Sequence, residues 1–82
     1  MMKRYQILVM LRDGVKDNEG SAIMKAANTM SIVENKIHDF TIGKVMYITC
    51  EDDLDVKQLC EKLLANTVIE KYEITELDQN HG

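Results

Sequence analysis

Leu59-Cys60-Glu61-Lys62-Leu63-Leu64-Ala65-Asn66-Thr67-Val68-Ile69-Glu70-Lys71-Tyr72 is the passage from which the fold is read, because its pattern changes period halfway along. Val56, Leu59, Cys60, Leu63 and Leu64 stand at i, i+3, i+4, i+7 and i+8, a single apolar stripe along a helix. Lys62 falls in the last turn, where a positive charge complements the exposed carbonyls. Asn66 comes where a chain leaves a helix through a left-handed residue, which asparagine tolerates, so the helix is predicted to end near Ala65. Leu63 and Leu64 are read as core, and Leu63→Ala is expected to cost roughly 2–5 kcal/mol through a cavity. Beyond Thr67 the bulky, β-favouring Val68, Ile69, Tyr72 and Ile74 predict a strand, with only a loose alternation between its faces.

The uninterrupted run Cys60 to Glu70, followed one residue on by Tyr72, resembles the signature of the PurS family, the small subunit of phosphoribosylformylglycinamidine (FGAM) synthase in purine biosynthesis. Eleven consecutive residues that include a Cys and an Asn are far more specific than a periodic pattern of Leu and Lys. The likeness extends over nearly the whole chain: Gly14-Val15 with Asp17 and Gly20 resembles the family's first loop, and Asp39, Gly43 and Lys44 its hairpin. Asn18 stands where a Pro is common, Thr41 where an Arg is frequent, and Lys71 where an acid is usual. Those departures leave the fold expectation untouched and mean that a specific salt bridge built by the family from positions 41 and 71 does not carry over to this sequence.

Eighty-two residues make one domain, here 1–77 with a polar tail over 78–82. A domain of this size buries only about 60% of its unfolded surface. With 45% hydrophobic residues, one Phe, three Tyr, no Trp and six Met, its core is aliphatic. That is more apolar material than two thin layers hide, which favours an oligomer. The net charge of −4 and the absence of a Lys/Arg cluster give no footprint for nucleic acid or an anionic membrane. No apolar run is long enough for a bilayer span, and Met-Met-Lys-Arg leads into an alternating strand instead of a signal-peptide core, so a cytoplasmic location is expected. Cys50 and Cys60 are read as free, buried thiols, because a reducing compartment argues against a disulfide and free Cys packs as a small hydrophobe.

From Lys3 to Leu11, Tyr5, Ile7, Val9 and Leu11 share one strand face and Gln6, Leu8 and Met10 the other. Both faces are substantially apolar. Leu8 and Met10 therefore point to a sheet covered on its second side by another subunit, the alternative being cover from the chain's own loops. A polar loop follows, in which Gly14 is free to take positive φ. Asp17 or Asn18 can cap a first amphipathic helix predicted from about Glu19 to Met30, with Ala22, Ile23, Ala26, Ala27 and Met30 at helical spacing. Ile37 to Ile42 and Val45 to Cys50 read as two strands joined by a Gly43-Lys44 hairpin turn. Glu51-Asp52-Asp53-Leu54-Asp55 places acids at the start of the second helix, where they meet the positive end of its dipole; the spacing does not fit a calcium loop. The order strand, helix, strand, strand, helix, strand predicts an α+β, ferredoxin-like βαββαβ fold, a four-stranded antiparallel sheet with two helices on one face.

Autonomous catalysis is not expected. The glycines at 14, 20, 43 and 82 form no nucleotide-binding motif, His38 is alone on its segment, and no metal-ligand spacing occurs. The PurS resemblance implies a non-catalytic subunit of a ligase complex, working as a homodimer or dimer of dimers. Its implied role is to join the glutaminase subunit, PurQ, to the ATP-dependent synthetase subunit, PurL, and to assist ammonia transfer between them. It implies no cofactor in this subunit, ATP and magnesium being used by the synthetase. Asn66, Thr67, Glu70 and Tyr72 are the polar residues of the matched run not fully absorbed by helix capping and strand formation, and are candidates for partner contacts; Asn66 as a helix C-cap is the competing explanation. A second class of function, a ferredoxin-like regulatory module binding a small metabolite at a dimer interface, stands on fold analogy.

Overall fold

Strand β1, Met2–Leu11, runs down the middle of the sheet and carries the fully buried Ile7 and Val9. In this computed structural model, which describes residues 1–78, β1 is flanked antiparallel by β2, Lys44–Glu51, and β3, Glu70–Leu77, in the order β2-β1-β3. The register sets Ile7 opposite Met46 on one side and Ile74 on the other, and Val9 opposite Tyr72. A slip of one residue would turn every one of these outward, so the apolar alternation pins the pairing.

One face of this sheet packs against the second helix. Ile7 and Val9, 0% and 1% exposed, meet Val56, Cys60 and Ala65 to form the buried core, with Tyr5, Met46, Ile48, Cys50, Leu64, Tyr72 and Ile74 packed around them. Cys60 is a free, buried thiol and Cys50 a free, half-buried one. Among the described residues, no helix is long and apolar enough to cross a membrane.

The second helix departs from the predicted spacing. Helix α2 is a single α turn, Val56–Leu59, capped by Asp55, whose Oδ1 accepts from the Gln58 N–H at 3.0 Å. It continues as a π turn over Cys60–Leu64, closed by the Ala65 N–H donating to the Cys60 carbonyl at 2.9 Å. A π turn uses one residue more than an α turn, so a stripe drawn at α spacing slips by about one position. Leu63, expected in the core, is 73% exposed, while Leu64 and Ala65 take the inward places. Leu63→Ala should accordingly change stability by no more than about 0.5 kcal/mol, as exposed substitutions do. Leu64→Ala should cost roughly 2 kcal/mol, the low end for a packed leucine. Urea denaturation of the two variants side by side decides this, and an equal or larger cost at Leu63 would refute the slipped register.

Chain contacts set off two compact units, Met1–Arg12 with the chain from Gly43 on, which holds the sheet and α2, and Asp13–Ile42. In the second unit Gly14 has φ 85°, a positive value that glycine takes without penalty. Helix α1 spans Asn18–Asn28 and is capped by Asp17, whose Oδ1 accepts from Gly20 N–H at 2.7 Å. The other oxygen of Asp17 accepts from the Ile42 N–H at 2.7 Å. These two backbone donors, Gly20 first, hold the Asp17 carboxyl below its ordinary value.

Among the described residues the expected fourth strand is absent. Ile37 to Ile42 forms no strand, and the sheet has three strands in place of four. The reason lies in side chains of α1 and its cap. Asn28 donates from Nδ2 to the Ile37 carbonyl at 3.0 Å and accepts the Ile37 N–H on Oδ1 at 3.1 Å, while Asp17 takes the Ile42 N–H. Backbone groups that a ladder would need at both ends of the segment are thus already satisfied. The Gly43-Lys44 hairpin fails with it, and Gly43 serves another purpose. A Cβ there would sit 3.0 Å from the Val9 carbonyl, so the missing side chain lets β2 begin close against β1.

Candidate functional site

The matched run identified in the sequence folds into a knot between the π turn and β3. Asn66 is its centre. Its carbonyl accepts from the N–H groups of Ile69 and Glu70 at 3.0 and 2.7 Å, and its Oδ1 accepts from the Val68 N–H at 3.2 Å. Its own N–H donates to Glu70 Oε1 at 2.7 Å. Asn66 is not left-handed as predicted, since Glu34 and Asn35 are the non-glycine residues with positive φ among those described. Asparagine is needed instead for its short side-chain oxygen, which mimics a backbone turn two residues on.

Arg12, at the end of β1, straps the knot to the sheet. Its N–H donates to the Ile69 carbonyl at 2.8 Å and its Nε to the Thr67 carbonyl at 2.9 Å. Tyr72 completes the set by donating its hydroxyl to Glu61 Oε1 at 2.9 Å. Desolvation, then this hydrogen bond to Glu61, raises the Tyr72 hydroxyl above the usual phenol value. Burial, then the Glu61 charge, likewise raises the Cys60 thiol, which therefore stays protonated and a poor nucleophile.

All four predicted residues, Asn66, Thr67, Glu70 and Tyr72, therefore lie in one loop and the strand it feeds, and three of them spend side-chain polar atoms inside the chain. What the knot offers outward is apolar. Val68 and Leu63 are 82% and 73% exposed, and Ile69 is more than a third exposed. Sequence reasoning had assigned Leu63 to the core and Val68 and Ile69 to a strand. The signal that could have found them is Asn66 itself: a side chain that folds the loop inward on its polar groups leaves the intervening apolar residues facing out.

Leu8 and Met10, the predicted oligomer contacts, are half-buried on the sheet face opposite α2. The same face carries Val45 and Tyr47, more than half exposed, with the Arg4 guanidinium 5.4 Å from the centre of the Tyr47 ring. Among the described residues no three of His, Cys, Asp and Glu gather where they could hold a metal ion. The loop turns its polar groups inward in hydrogen bonds and presents apolar side chains, and the sheet face opposite α2 carries further exposed apolar side chains.

Three comparisons place this arrangement among known proteins. A family model described as PurS, phosphoribosylformylglycinamidine (FGAM) synthase, matches residues 4–78. The chain is 45% identical over 83 aligned positions to the phosphoribosylformylglycinamidine synthase subunit PurS of Bacillus subtilis, covering 93% of this chain and 96% of that relative. Among solved structures, B. subtilis PurS superposes with a TM-score of 0.81 at 40% identity, covering 95% of this chain and 100% of the other. A chain of PurLQS from Thermotoga maritima superposes at 0.76 with 27% identity, covering 94% and 99%.

Proposed function

This chain belongs to the PurS family of FGAM synthase, and from that membership we propose that it is the small, non-catalytic subunit of that synthase in de novo purine biosynthesis. Its partners are a PurL synthetase subunit and a PurQ glutaminase subunit. The observation that carries this reading is the likeness, over nearly its full length, to a chain within the PurLQS assembly. The strand-and-helix order supports a ferredoxin-like ancestry in which the second strand has been left irregular.

The knot Asn66 to Tyr72, with Leu63 and Val68 projecting from it, meets a partner subunit, while Leu8 and Met10 on the open sheet face meet another copy of the chain in a homodimer or dimer of dimers. Ammonia passing between the glutaminase and synthetase sites is mostly protonated in neutral water and then useless as a nucleophile. A docked subunit that closes the space between the sites keeps it reactive by excluding water. ATP and magnesium belong to the synthetase in this reading, and the chain works in the cytoplasm.

Capture experiments with the purified glutaminase and synthetase subunits, in the presence of glutamine and magnesium-ADP, test the proposal. The wild-type chain should be retained. The double variant Leu63→Asp, Val68→Asp should bind at least about tenfold more weakly, a loss of ~1.4 kcal/mol, with unchanged circular dichroism. Failure of the wild-type chain to associate with either subunit would overturn the reading. Full retention of the double variant would remove the knot from the interface.

A further inference from the structure

We propose that Arg12 is a positioning residue for the docking of a partner subunit: it does not meet the partner itself but fixes the direction of Val68, a side chain that does. This deepens the functional reading above and rests on the loop Asn66 to Tyr72 being the partner surface.

The loop's internal hydrogen bonds give it a shape but no orientation. Asn66 and Glu70 make them with each other and with Val68 and Ile69, so they would survive a swing of the whole loop about its ends at Ala65 and Glu70. Arg12 opposes that swing from outside. It stands one residue beyond β1, past the last register pair, Leu11 with Glu70. From there its N–H donates to the Ile69 carbonyl at 2.8 Å and its Nε to the Thr67 carbonyl at 2.9 Å. The two acceptors belong to the residues immediately before and after Val68. With both neighbours tied to the end of the central strand, and its own N–H held by Asn66 Oδ1 at 3.2 Å, Val68 projects along one direction while 82% exposed.

The two ties differ in what they ask of position 12. The backbone bond continues the β1–β3 ladder and any residue but proline could supply it. The Nε bond needs a long side chain with a donor, and the planar guanidinium offers that donor at a set angle. Arg12 is exposed, so water competes for this bond and its contribution to folding is small. What the bond supplies is order. A loop fixed in advance gives up less conformational freedom when its partner arrives, and the saving appears as affinity.

The test is Arg12→Met, which keeps an unbranched stem and removes the donor. Titrated against the purified synthetase and glutaminase subunits with glutamine and magnesium-ADP, the variant's dissociation constant should rise roughly three- to tenfold, the range of one net hydrogen bond. Its melting temperature should stay within about 3 °C of the parent's, as for an exposed substitution. Val68→Ala weakens docking by itself, and in that background Arg12→Met should add less than about twofold, because the side chain whose direction was fixed is gone. Arg12→Lys, which keeps a donor, should recover most of the loss. In hydrogen exchange the Val68 and Ile69 amides of Arg12→Met should exchange faster, with those of β1 unchanged. An Arg12→Met chain that binds as tightly as the parent would overturn the inference. So would a loss as large with Val68→Ala as without it, which would place Arg12 itself against the partner. A weakened Leu63→Asp, Val68→Asp chain beside an unaffected Arg12→Met chain strikes this inference alone and leaves the docking loop in place, whereas normal binding by both removes the loop from the interface as well.

Discussion

Ile7→Ala should lower the stability of the chain by about 2–5 kcal/mol, the cost of emptying a fully enclosed leucine-sized site. Small domains have only ~5–15 kcal/mol in total. Ile7 is 0% exposed and sits where all three strands and α2 meet, opposite Met46 and Ile74 in the register and in the same cluster as Val56 and Cys60. Among the described residues β1 is the strand with two partners, so the cavity cannot be closed by moving an edge strand inward without loosening the other. At a fixed protein concentration, so that association does not mask the change, the melting temperature should fall by at least about 8 °C, taking ~4 °C per kcal/mol for a domain of this length. A fall of less than about 2 °C, under 1 kcal/mol on the same scale, would mean that the sheet repacks and that Ile7 does not anchor it.

Gly20→Ala is expected to change stability in the direction opposite to the usual one. An alanine in place of glycine inside a helix normally stabilises by roughly 0.5–1 kcal/mol. Gly20 is buried in the first turn of α1, where a Cβ would run into the carbonyl oxygen of Phe40 and the carboxylate of Asp17. The first of these is backbone and cannot swing aside as the end of a long side chain could. Relief requires either that the Phe40 segment retreat or that Asp17 give up its cap, and Asp17 also holds the Ile42 N–H. The net effect should be a loss of about 1–3 kcal/mol, as for overpacked sites, accompanied by weaker far-ultraviolet helical signal. A Gly20→Ala chain as stable as the parent would show that the close approach is not required.

The same two units show what the amino-acid order made legible and what it hid. Residues whose fate is set by neighbours in sequence were readable: the alternation Tyr5, Ile7, Val9 forecasts the central strand, and Asp17 and the acids before Val56 forecast two helix starts. Residues whose fate is set by hydrogen bonds across longer separations were not. Ile37 to Ile42 has a strand's composition, and nothing local announces that Asn28, nine residues earlier, takes both backbone groups of Ile37. Leu63 fits an α-helical stripe perfectly well until the chain widens at Cys60, a change of hydrogen-bond partner that side-chain periodicity does not encode. At the candidate site the family signature located the loop Asn66 to Tyr72, yet the outward Val68 emerges only once the loop's polar groups are seen to turn in.

The clamp on residues 37–42 also bears on how this chain avoids misassembly. Ile-His-Asp-Phe-Thr-Ile, without proline or glycine, has the composition of a sticky hexapeptide that stacks readily with its own kind when released. Asn28 and Asp17 withhold both of its ends from such stacking for as long as α1 stays folded. The first helix thereby shields this segment, and an Asn28→Ala chain is expected to scatter light at a lower temperature than the parent on heating.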